Sequence, residues 1–484
     1  MKPAKATAWL SSLLLLAPSQ IPAQSPSAGG LSLQGNLRSR VELWDWFEGQ
    51  ADNAYAFSGN LLRLSLSRQT ERFDWQIEAA APVLLGLPDA AVGPGAQGQF
   101  GMGPAYFVAS GSKRNTAMVF PKQAFLRLRS LAGDKTQTLR LGRFEFVDGS
   151  EATPKNATLA ALKRDRVAQR LLGNFGFTHV GRSLDGLQWM LDRGRTTYTL
   201  VSGLATRGVF QTDGWGNLHA GIGYASATGQ AGSAARPSEW RVLALYYHDW
   251  RHLLKTDNRP LAARRLDLGN IRIATFGGHY LLAAESRAGT LDLLLWGVLQ
   301  TGRWGALRHR SGAFAVEGGW QPKVLPRLRP WLRTGVFHGA GDRDPDDRTH
   351  GTFFPPLLTP RLYARFPFYN LMNVQDAFLT LTLRPHKSVT LRSDARALRL
   401  AHGNDLWYSG GGAFQPWTFG YAGRASRGAR GLATLFDVSA DYQVTSRASL
   451  SAYAAHARGK RVIAATYPAG RNARYGYVEL TWRF

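Results

Sequence analysis

Arginine recurs on the polar face of several segments in which polar and apolar residues alternate. Its guanidinium stays protonated in proteins and can bind a carboxylate through two parallel hydrogen bonds. A series of such side chains on one face would therefore attract carboxylates. Alternatively, any one of them could form a structural ion pair with an acidic neighbour. The candidates are Arg38, Arg40, Arg63, Arg127, Arg129, Arg140, Arg392 and Arg396, with Asp394 on the same face as the last two.

The overall charge shows that acidic side chains are too few to neutralise all of these arginines. The 484 residues include 59 Lys and Arg against 33 Asp and Glu, which gives a formal net charge of +26. Nucleic acid is a frequent partner of so basic a chain. Because the chain carries the export signal described below, we do not expect it to bind nucleic acid. Anionic solutes and phosphorylated lipid headgroups are the polyanions that remain.

An acidic segment suggests a second kind of site. Asp342, Asp344 and Asp346 occupy alternate positions, as at the start of a calcium-binding loop. The glycine and the later glutamate of that motif are absent, since Asp347 and Phe353 stand there. The segment is therefore a candidate for a structural Ca²⁺ site, with a hydrated acidic surface loop as the alternative. No other cofactor is expected.

No group of residues indicates catalysis. His248 and His252 have a spacing that pairs two metal ligands on a helix, but here they close an alternating, strand-like segment. In a strand a step of four residues separates two side chains too far to share a metal closely. The chain has no cysteine, which excludes thiol nucleophiles and cysteine metal sites. We therefore expect that the protein is not an enzyme.

The elements that carry the arginines are predicted to be β-strands. Apolar and polar residues alternate with a period of two in residues 62–67, 124–129 and 389–396. Such segments recur along the whole chain, whereas a soluble β-sandwich closes at about seven to nine strands. Charged residues in mid-strand suit a water-filled lumen, and aromatic residues near strand ends suit the membrane interfaces. The pattern predicts an all-β, transmembrane antiparallel barrel.

The two ends of the chain indicate where such a barrel would be. Lys2 and Lys5 precede a short apolar stretch and small residues up to Ala23, as in a cleavable secretory signal peptide. The last strand ends in Phe484 and resembles the signal by which the barrel-assembly machinery recognises its clients. We predict a signal peptide over residues 1–23 and a single barrel over residues 24–484. Its location is the outer membrane, in contact with outer-membrane lipid and lipopolysaccharide.

Two stretches interrupt the alternation. Residues 156–172 contain many strong helix formers, and we interpret them as a short helix within a long loop. This helix is basic, and it either lies solvated at the surface or folds over or into the pore. Residues 93–116 are rich in glycine and are predicted to form a surface loop.

Several segments resemble the alginate-export family of outer-membrane proteins. They are residues 139–143, residues 182–187, residues 341–353 and the two strands that contain residues 436–437 and 475–484. Residues 182–187 are close to the family's Arg-x-Phe-Asp-Gly pattern, with Leu184 in place of the aromatic residue. The resemblance adds Arg182 and Asp185 to the candidate pore residues. It also implies a barrel of about 18 strands whose Arg-rich pore is closed by loops.

The strand pattern is ambiguous at Arg143. Its position places it with Leu139 and Leu141 on the lipid-facing side. A β-bulge at Gly142 would shift the alternation by one residue, because a bulge inserts an extra residue into one strand. Arg143 would then join the pore-facing arginines, and Phe144 would turn outward. On this basis Arg143 is included among the candidate pore residues.

The charge and the resemblance together lead to one functional expectation. We predict an outer-membrane channel that passes an anionic polysaccharide, an alginate-like polyuronate, through an Arg-rich lumen. A periplasmic export scaffold would then be a further partner. The alternative is a general or small-anion-selective porin that takes up solutes.

Overall fold

The computed structural model describes residues 30–484, so the predicted signal peptide, residues 1–23, lies outside the described residues. Eighteen long strands form one closed antiparallel barrel, which confirms the predicted fold class. They are β1 (Leu31–Asp45), β2 (Ala54–Gln69), β3 (Phe73–Leu85), β4 (Phe120–Leu131), β5 (Asp134–Phe144), β6 (Leu184–Asp192), β7 (Thr196–Thr206), β8 (Asn217–Ser233), β9 (Arg236–Asp249), β10 (Ile271–Ser286), β11 (Gly289–Trp304), β12 (Leu307–Pro322), β13 (Trp331–Gly339), β14 (Val374–His386), β15 (Val389–Leu400), β16 (Gly431–Gln443), β17 (Ala448–Gly459) and β18 (Asn472–Arg483). Each strand pairs with the next, and β1 pairs with β18 to close the ring.

The faces of the strands are reversed relative to a soluble protein. In β1, Leu33 and Leu43 are exposed on the outside, at 74% and 55%, whereas Arg40 and Trp44 are buried in the interior. Successive side chains of a strand point to opposite faces, so the sequence alternation becomes an apolar outer surface and a polar inner one. This is the arrangement of a barrel that is surrounded by lipid.

The two ends of the barrel differ in the length of their connections. One end has short turns, such as residues 70–72, 132–133 and 193–195. At this end β1 begins and β18 ends. The opposite end carries long loops, including residues 86–119, 145–183, 340–373 and 401–430. Short turns face the periplasm in outer-membrane barrels. The long loops therefore lie at the extracellular end.

Four short helices lie in the long loops: α1 (Met102–Ala109), α2 (Ala157–Leu162), α3 (Leu261–Leu266) and α4 (Arg461–Thr466). The Asn156 side chain caps α2 by accepting the Leu159 amide at 3.1 Å. A π-helical turn, Lys163–Val167, extends α2, so the short helix predicted within residues 156–172 is present over residues 157–167. Among residues 30–484, no helix is long and apolar enough to cross a membrane.

The prediction of a surface loop for residues 93–116 holds for residues 94–96 and 111–115, which are exposed, and is wrong for the part between them. This segment contains α1, and its Phe100 and Tyr106 are both at 0% exposure. A high glycine content indicates a turn-rich backbone, but it does not reveal that the segment folds inward. The Phe100 ring packs on Tyr467 from another loop, with 5.6 Å between the ring centroids.

Aromatic side chains join the long loops to the inner wall of the barrel. Trp44 of β1 packs on Tyr475 of β18 with ring centroids 4.1 Å apart, and on Phe366 at 6.0 Å. Phe366 in turn contacts Phe368, which packs on Phe47. Burial of one such ring stabilises the fold by about 1.5–3 kcal/mol. The loops are therefore a packed part of the interior.

The C-terminal residue completes the seam between β1 and β18. Phe484 and Gly35 exchange two backbone hydrogen bonds, of 2.7 Å and 3.0 Å. The Phe484 ring covers Gly35 so closely that a Cβ there would lie 2.2 Å from it. Trp482 adds a second ring, 4.9 Å from Phe484.

We expect deletion of Phe484 to lower the amount of folded barrel several-fold, because both hydrogen bonds and the ring contact at the seam are lost. The measurement is the heat-modifiable band of outer-membrane fractions on a gel run without boiling. Phe73→Ala removes another exposed phenylalanine at the same end of the barrel and is the matched control. Equal folding of the deletion variant and the control would contradict the prediction.

Candidate pore and its arginines

The arginines selected from the strand pattern lie on the inner face of the barrel, but most of them contact acidic side chains. Arg63 pairs with Glu145, and Arg129 donates two hydrogen bonds to Asp74. These arginines therefore form structural ion pairs with acidic neighbours, which was the alternative to a free, carboxylate-binding face. The distances are Arg40 Nε–Glu479 2.7 Å, Arg63 Nη2–Glu145 2.8 Å, Arg129 Nη2–Asp74 2.8 Å, Arg127 Nη1–Asp74 3.6 Å and Arg392 Nε–Asp394 2.7 Å, and Arg396 pairs with Asp376.

Three further arginines contact mainly uncharged groups, although Arg38 Nε also lies 3.7 Å from Glu479. Arg38 donates to the carbonyl oxygens of Gly176 and Thr178, which belong to the loop between β5 and β6. Arg140 contacts Gln188 and lies over the Phe144 ring at 4.2 Å. The third is Arg182, which donates to the carbonyl oxygens of Leu357, Gly411 and Ala413 at 2.7, 2.9 and 3.2 Å. Arg182 is buried, and its hydrogen bonds connect its own loop, residues 145–183, to the loops of residues 340–373 and 401–430.

The assignment of Arg143 and Asp185 to the pore is wrong. The pairing of β5 with both of its neighbours continues through Gly142 with no shift of register, so no bulge reverses the alternation. Arg143 stays on the outer side and forms a two-pronged ion pair with Asp185, at 2.6 and 2.8 Å. Phe144 faces inward and is fully buried. The glycine relieves a close approach to the Ala124 carbonyl and leaves the register unchanged.

The segment that contains α2 lies inside the barrel. Arg166 donates two hydrogen bonds of 2.8 Å to Glu317 of β12, and Arg170 adds a third at 2.9 Å. Lys163 pairs with Glu239 of β9 at 2.7 Å. Of the two alternatives for residues 156–172, the structure therefore adopts the one in which the segment folds into the pore.

Glu239 and Glu317 are the site residues that the sequence reasoning missed. Both are almost fully buried, and each receives more than one cationic or ring N–H partner. His279 reaches Glu239 at 2.9 Å, and Arg333 reaches Glu317 at 3.2 Å. A buried carboxylate is costly unless it is paired and hydrogen-bonded. Their position in mid-strand on the polar face was the available signal.

Below this segment, the interior opens toward the periplasmic end as a cavity of about 700 Å³. Its wall carries eight basic and three acidic side chains. The basic residues are Arg164, Arg166, Arg333, Arg365, Arg384, Lys387, Arg392 and Arg483, and the acidic ones are Asp165, Asp441 and Glu479. A second cavity of 220 Å³ contains Arg127 and Arg140. Low-dielectric walls focus such a charge excess and concentrate anions.

The acidic loop that was a candidate Ca²⁺ site uses its carboxylates for local backbone contacts. Asp342 accepts the amides of Asp344 and Gly351, each at 3.2 Å, and Asp344 accepts that of Asp346 at 3.0 Å. Among residues 30–484, no three acidic or histidine side chains are arranged to hold a metal ion. Burial raises the pKa of the Asp342 carboxyl from 3.8 to about 6, and Asp405 and Asp347 act in the same direction.

We expect the order of this loop to depend on pH through Asp342. Because the pKa is raised in the folded loop, its contribution to stability is complete below the ordinary value of 3.8 and is lost as the pH rises through about 6. Hydrogen exchange of residues 341–351 should therefore be faster at about pH 7 than at about pH 5, after correction for intrinsic rates. Asp342→Asn should remove this difference, whereas Asp346→Asn, at an exposed position, should retain it. A pH dependence that survives Asp342→Asn would contradict the assignment.

Comparison with known proteins agrees with this architecture. A model of the alginate export family matches residues 227–471, which is more than half of the chain. No curated protein sequence matches it. Similar solved structures include Pseudomonas aeruginosa OccK9 (OpdG), with 11% identity, a TM-score of 0.54 and coverage of 94% of this chain and 98% of that chain. Acinetobacter baumannii OccAB2 has 10% identity, a TM-score of 0.54 and the same coverage. Pseudomonas aeruginosa OpdK with vanillate has 8% identity, a TM-score of 0.51 and coverage of 93% and 98%. At these identities the likeness concerns the fold.

Proposed function

The chain belongs to the alginate export family of outer-membrane β-barrel channels, and we propose that it passes an anionic polysaccharide of the polyuronate type. The observation that carries this proposal is a set of basic side chains on the wall of the 700 Å³ periplasmic cavity that form no salt bridge within residues 30–484, namely Arg365, Arg384, Lys387 and Arg483. In that position the cavity would be the first part of the lumen to meet a polymer arriving from the periplasm.

The chemistry of a polyuronate fits this wall. Each sugar carries one carboxylate, which must lose part of its hydration in order to enter a narrow pore. Arginine replaces lost water with charge-assisted hydrogen bonds. Arg365 and Arg384 line the cavity, and within residues 30–484 neither of them forms a salt bridge. Binding at several weak sites allows the chain to move from one site to the next.

Transport also requires the segment that contains α2 to move. Its contacts with Glu239 and Glu317 are ionic, so the loop cations and the strand carboxylates form a latch inside the lumen. An anionic polymer carries carboxylates that can compete with Glu317 for Arg166 and Arg170. Substrate entry would thereby weaken the latch in the same step that binds the substrate.

Single-channel recording in planar bilayers tests the proposal. Oligouronates added on the periplasmic side should block the current reversibly, with longer residence for longer oligomers because more carboxylates are bound at once. Neutral oligosaccharides of equal length are the control and should block weakly. Equal block by neutral and anionic oligomers would refute the polyuronate substrate.

A small-anion porin is the second candidate, and the size of the cavity favours it. A volume of 700 Å³ lies within the range of about 300–1,000 Å³ that is usual for sites that enclose one small ligand. In this case monomeric uronate and other small carboxylates should block as strongly as oligomers do. Length-independent block would therefore support uptake of small anions. In either case, the barrel-assembly machinery is the proposed partner during insertion, and a periplasmic scaffold is a partner for polymer export alone.

A further inference from the structure

A row of one histidine and three arginines lies on the outer surface of the barrel at its extracellular rim. His248 of β9 is paired with Arg272 of β10, Arg272 with Arg303 of β11, and Arg303 with Arg308 of β12. The four residues thus occupy one cross-strand row of the sheet, and all three arginines are exposed. Neighbouring strands are about 4.8 Å apart. The row therefore presents closely spaced positive charge to the outside of the barrel.

Within residues 30–484, no carboxylate forms a salt bridge with Arg272, Arg303 or Arg308. Three acidic side chains of the adjoining segments already have other partners, and of these Asp347, beside the segment that pairs with Arg308, accepts the Thr349 amide at 2.5 Å. Asp249 pairs with Arg251 at 2.7 Å. Asp267 pairs with Lys255 and Arg259 and accepts the Ala306 amide. Like charges directly opposite each other destabilise a sheet. An anionic ligand bound to this row would remove that repulsion.

The next row toward the membrane centre holds Ala274, Thr301 and the exposed Arg310, and the surface beyond that row is apolar. Phe276 follows Arg272 by four residues toward the membrane, and Leu299 precedes Arg303 by four. These two side chains face each other across β10 and β11 and are 54% and 73% exposed. Phe314 continues the apolar surface on β12 and is 47% exposed. A ligand of this surface must therefore carry anionic groups above and hydrocarbon below.

The position of the row in the membrane restricts the ligand further. Arg272, Arg303 and Arg308 lie at the end of the barrel that carries the long loops, which is the extracellular side, although the turn between β11 and β12 there is only residues 305–306. Tyr246, His248 and Trp250 stand beside them, with 5.0 Å between the His248 and Trp250 rings. Aromatic residues of this kind mark the level of the lipid headgroups. The row thus faces the headgroups of the outer leaflet.

We propose that this row, His248–Arg272–Arg303–Arg308, is a binding site for lipopolysaccharide. The phosphates of its headgroup would bind the arginines, and its acyl chains would lie on Phe276, Leu299 and Phe314. A headgroup that carries several phosphates and several acyl chains matches a row that spans four strands, whereas a phospholipid offers a single phosphate. The site is separate from the lumen and does not depend on what the channel transports.

The test is titration of the full mature protein in detergent with bisphosphorylated rough lipopolysaccharide, with the dissociation constant measured by thermophoresis. The variant Arg272→Gln, Arg303→Gln, Arg308→Gln should bind about 100-fold more weakly, since each basic residue near an anionic headgroup contributes about 1 kcal/mol. Wild-type protein should also bind dephosphorylated lipopolysaccharide far more weakly than the phosphorylated form. Higher salt should weaken only the phosphate-dependent binding.

A matched variant separates a specific site from general positive charge. Arg195→Gln, Arg287→Gln, Arg447→Gln removes the same charge from exposed positions at the periplasmic turns and should bind lipopolysaccharide like wild type. Unchanged affinity of the rim variant, equal loss in both variants, or equal binding of dephosphorylated lipopolysaccharide would each overturn the proposal. The single variant Arg303→Gln should show a smaller loss in the same direction. Heat-modifiable mobility verifies that every variant is folded.

Discussion

Replacement of Glu317 by Gln should increase the single-channel conductance of the protein. Glu317 is buried and is contacted by Arg166, Arg170 and Arg333, so the neutral amide leaves three guanidinium groups without their common counter-charge. Removal of one partner from a buried ionic cluster costs about 3 kcal/mol or more. The fraction of channels in which the α2 segment is displaced should then rise about 100-fold. Planar-bilayer recording at fixed voltage measures both the conductance and the open fraction.

Two further variants make this result specific to the latch. Glu285→Gln is the same chemical change at an exposed turn and should leave the conductance as in wild type. Arg170→Gln weakens the same contact from the loop side and should increase the conductance in the same direction as Glu317→Gln. Wild-type conductance in both Glu317→Gln and Arg170→Gln would show that this segment does not limit the current.

Replacement of Arg365, Arg384 and Lys387 by Gln should lower the anion-to-cation permeability ratio by about threefold or more. These three residues line the periplasmic cavity, and no salt bridge within residues 30–484 involves them. Their loss therefore removes positive charge from the cavity without breaking a salt bridge. The reversal potential in a salt gradient across a planar bilayer measures the ratio. The selectivity of wild type should weaken as salt rises, because screening shortens the reach of each charge to about 8 Å at physiological ionic strength.

The control for this prediction removes the same charge from outside the lumen. Arg195→Gln, Arg287→Gln, Arg447→Gln lies at the periplasmic turns, and its permeability ratio should match that of wild type. A wild-type channel that prefers cations, or a cavity variant with unchanged selectivity, would refute the role of the cavity arginines. A shift of equal size in the control would assign selectivity to the charge of the whole surface.

The alternation of polar and apolar residues was sufficient to predict the barrel fold and to predict whether most strand side chains face the lumen or the lipid. The two-residue alternation around Arg63 and Arg129 predicted the inner face, and the alternation before Phe484 predicted the final strand. This works because a strand places successive side chains on opposite faces whatever the strand pairs with. The same alternation placed Arg143 on the lipid-facing side unless a β-bulge intervened. The bulge predicted at Gly142 is absent, so the assignment of Arg143 to the lumen was wrong.

The sequence by itself determined a barrel with arginines inside and leucines outside, because both follow from a period that is local to each strand. Tertiary structure alone decided what those arginines contact. Arg40 meets Glu479 because β1 closes on β18, and Arg166 meets Glu317 because a loop folds back into the lumen. Such contacts depend on ring closure and loop packing between residues far apart in the chain, and no local period encodes either.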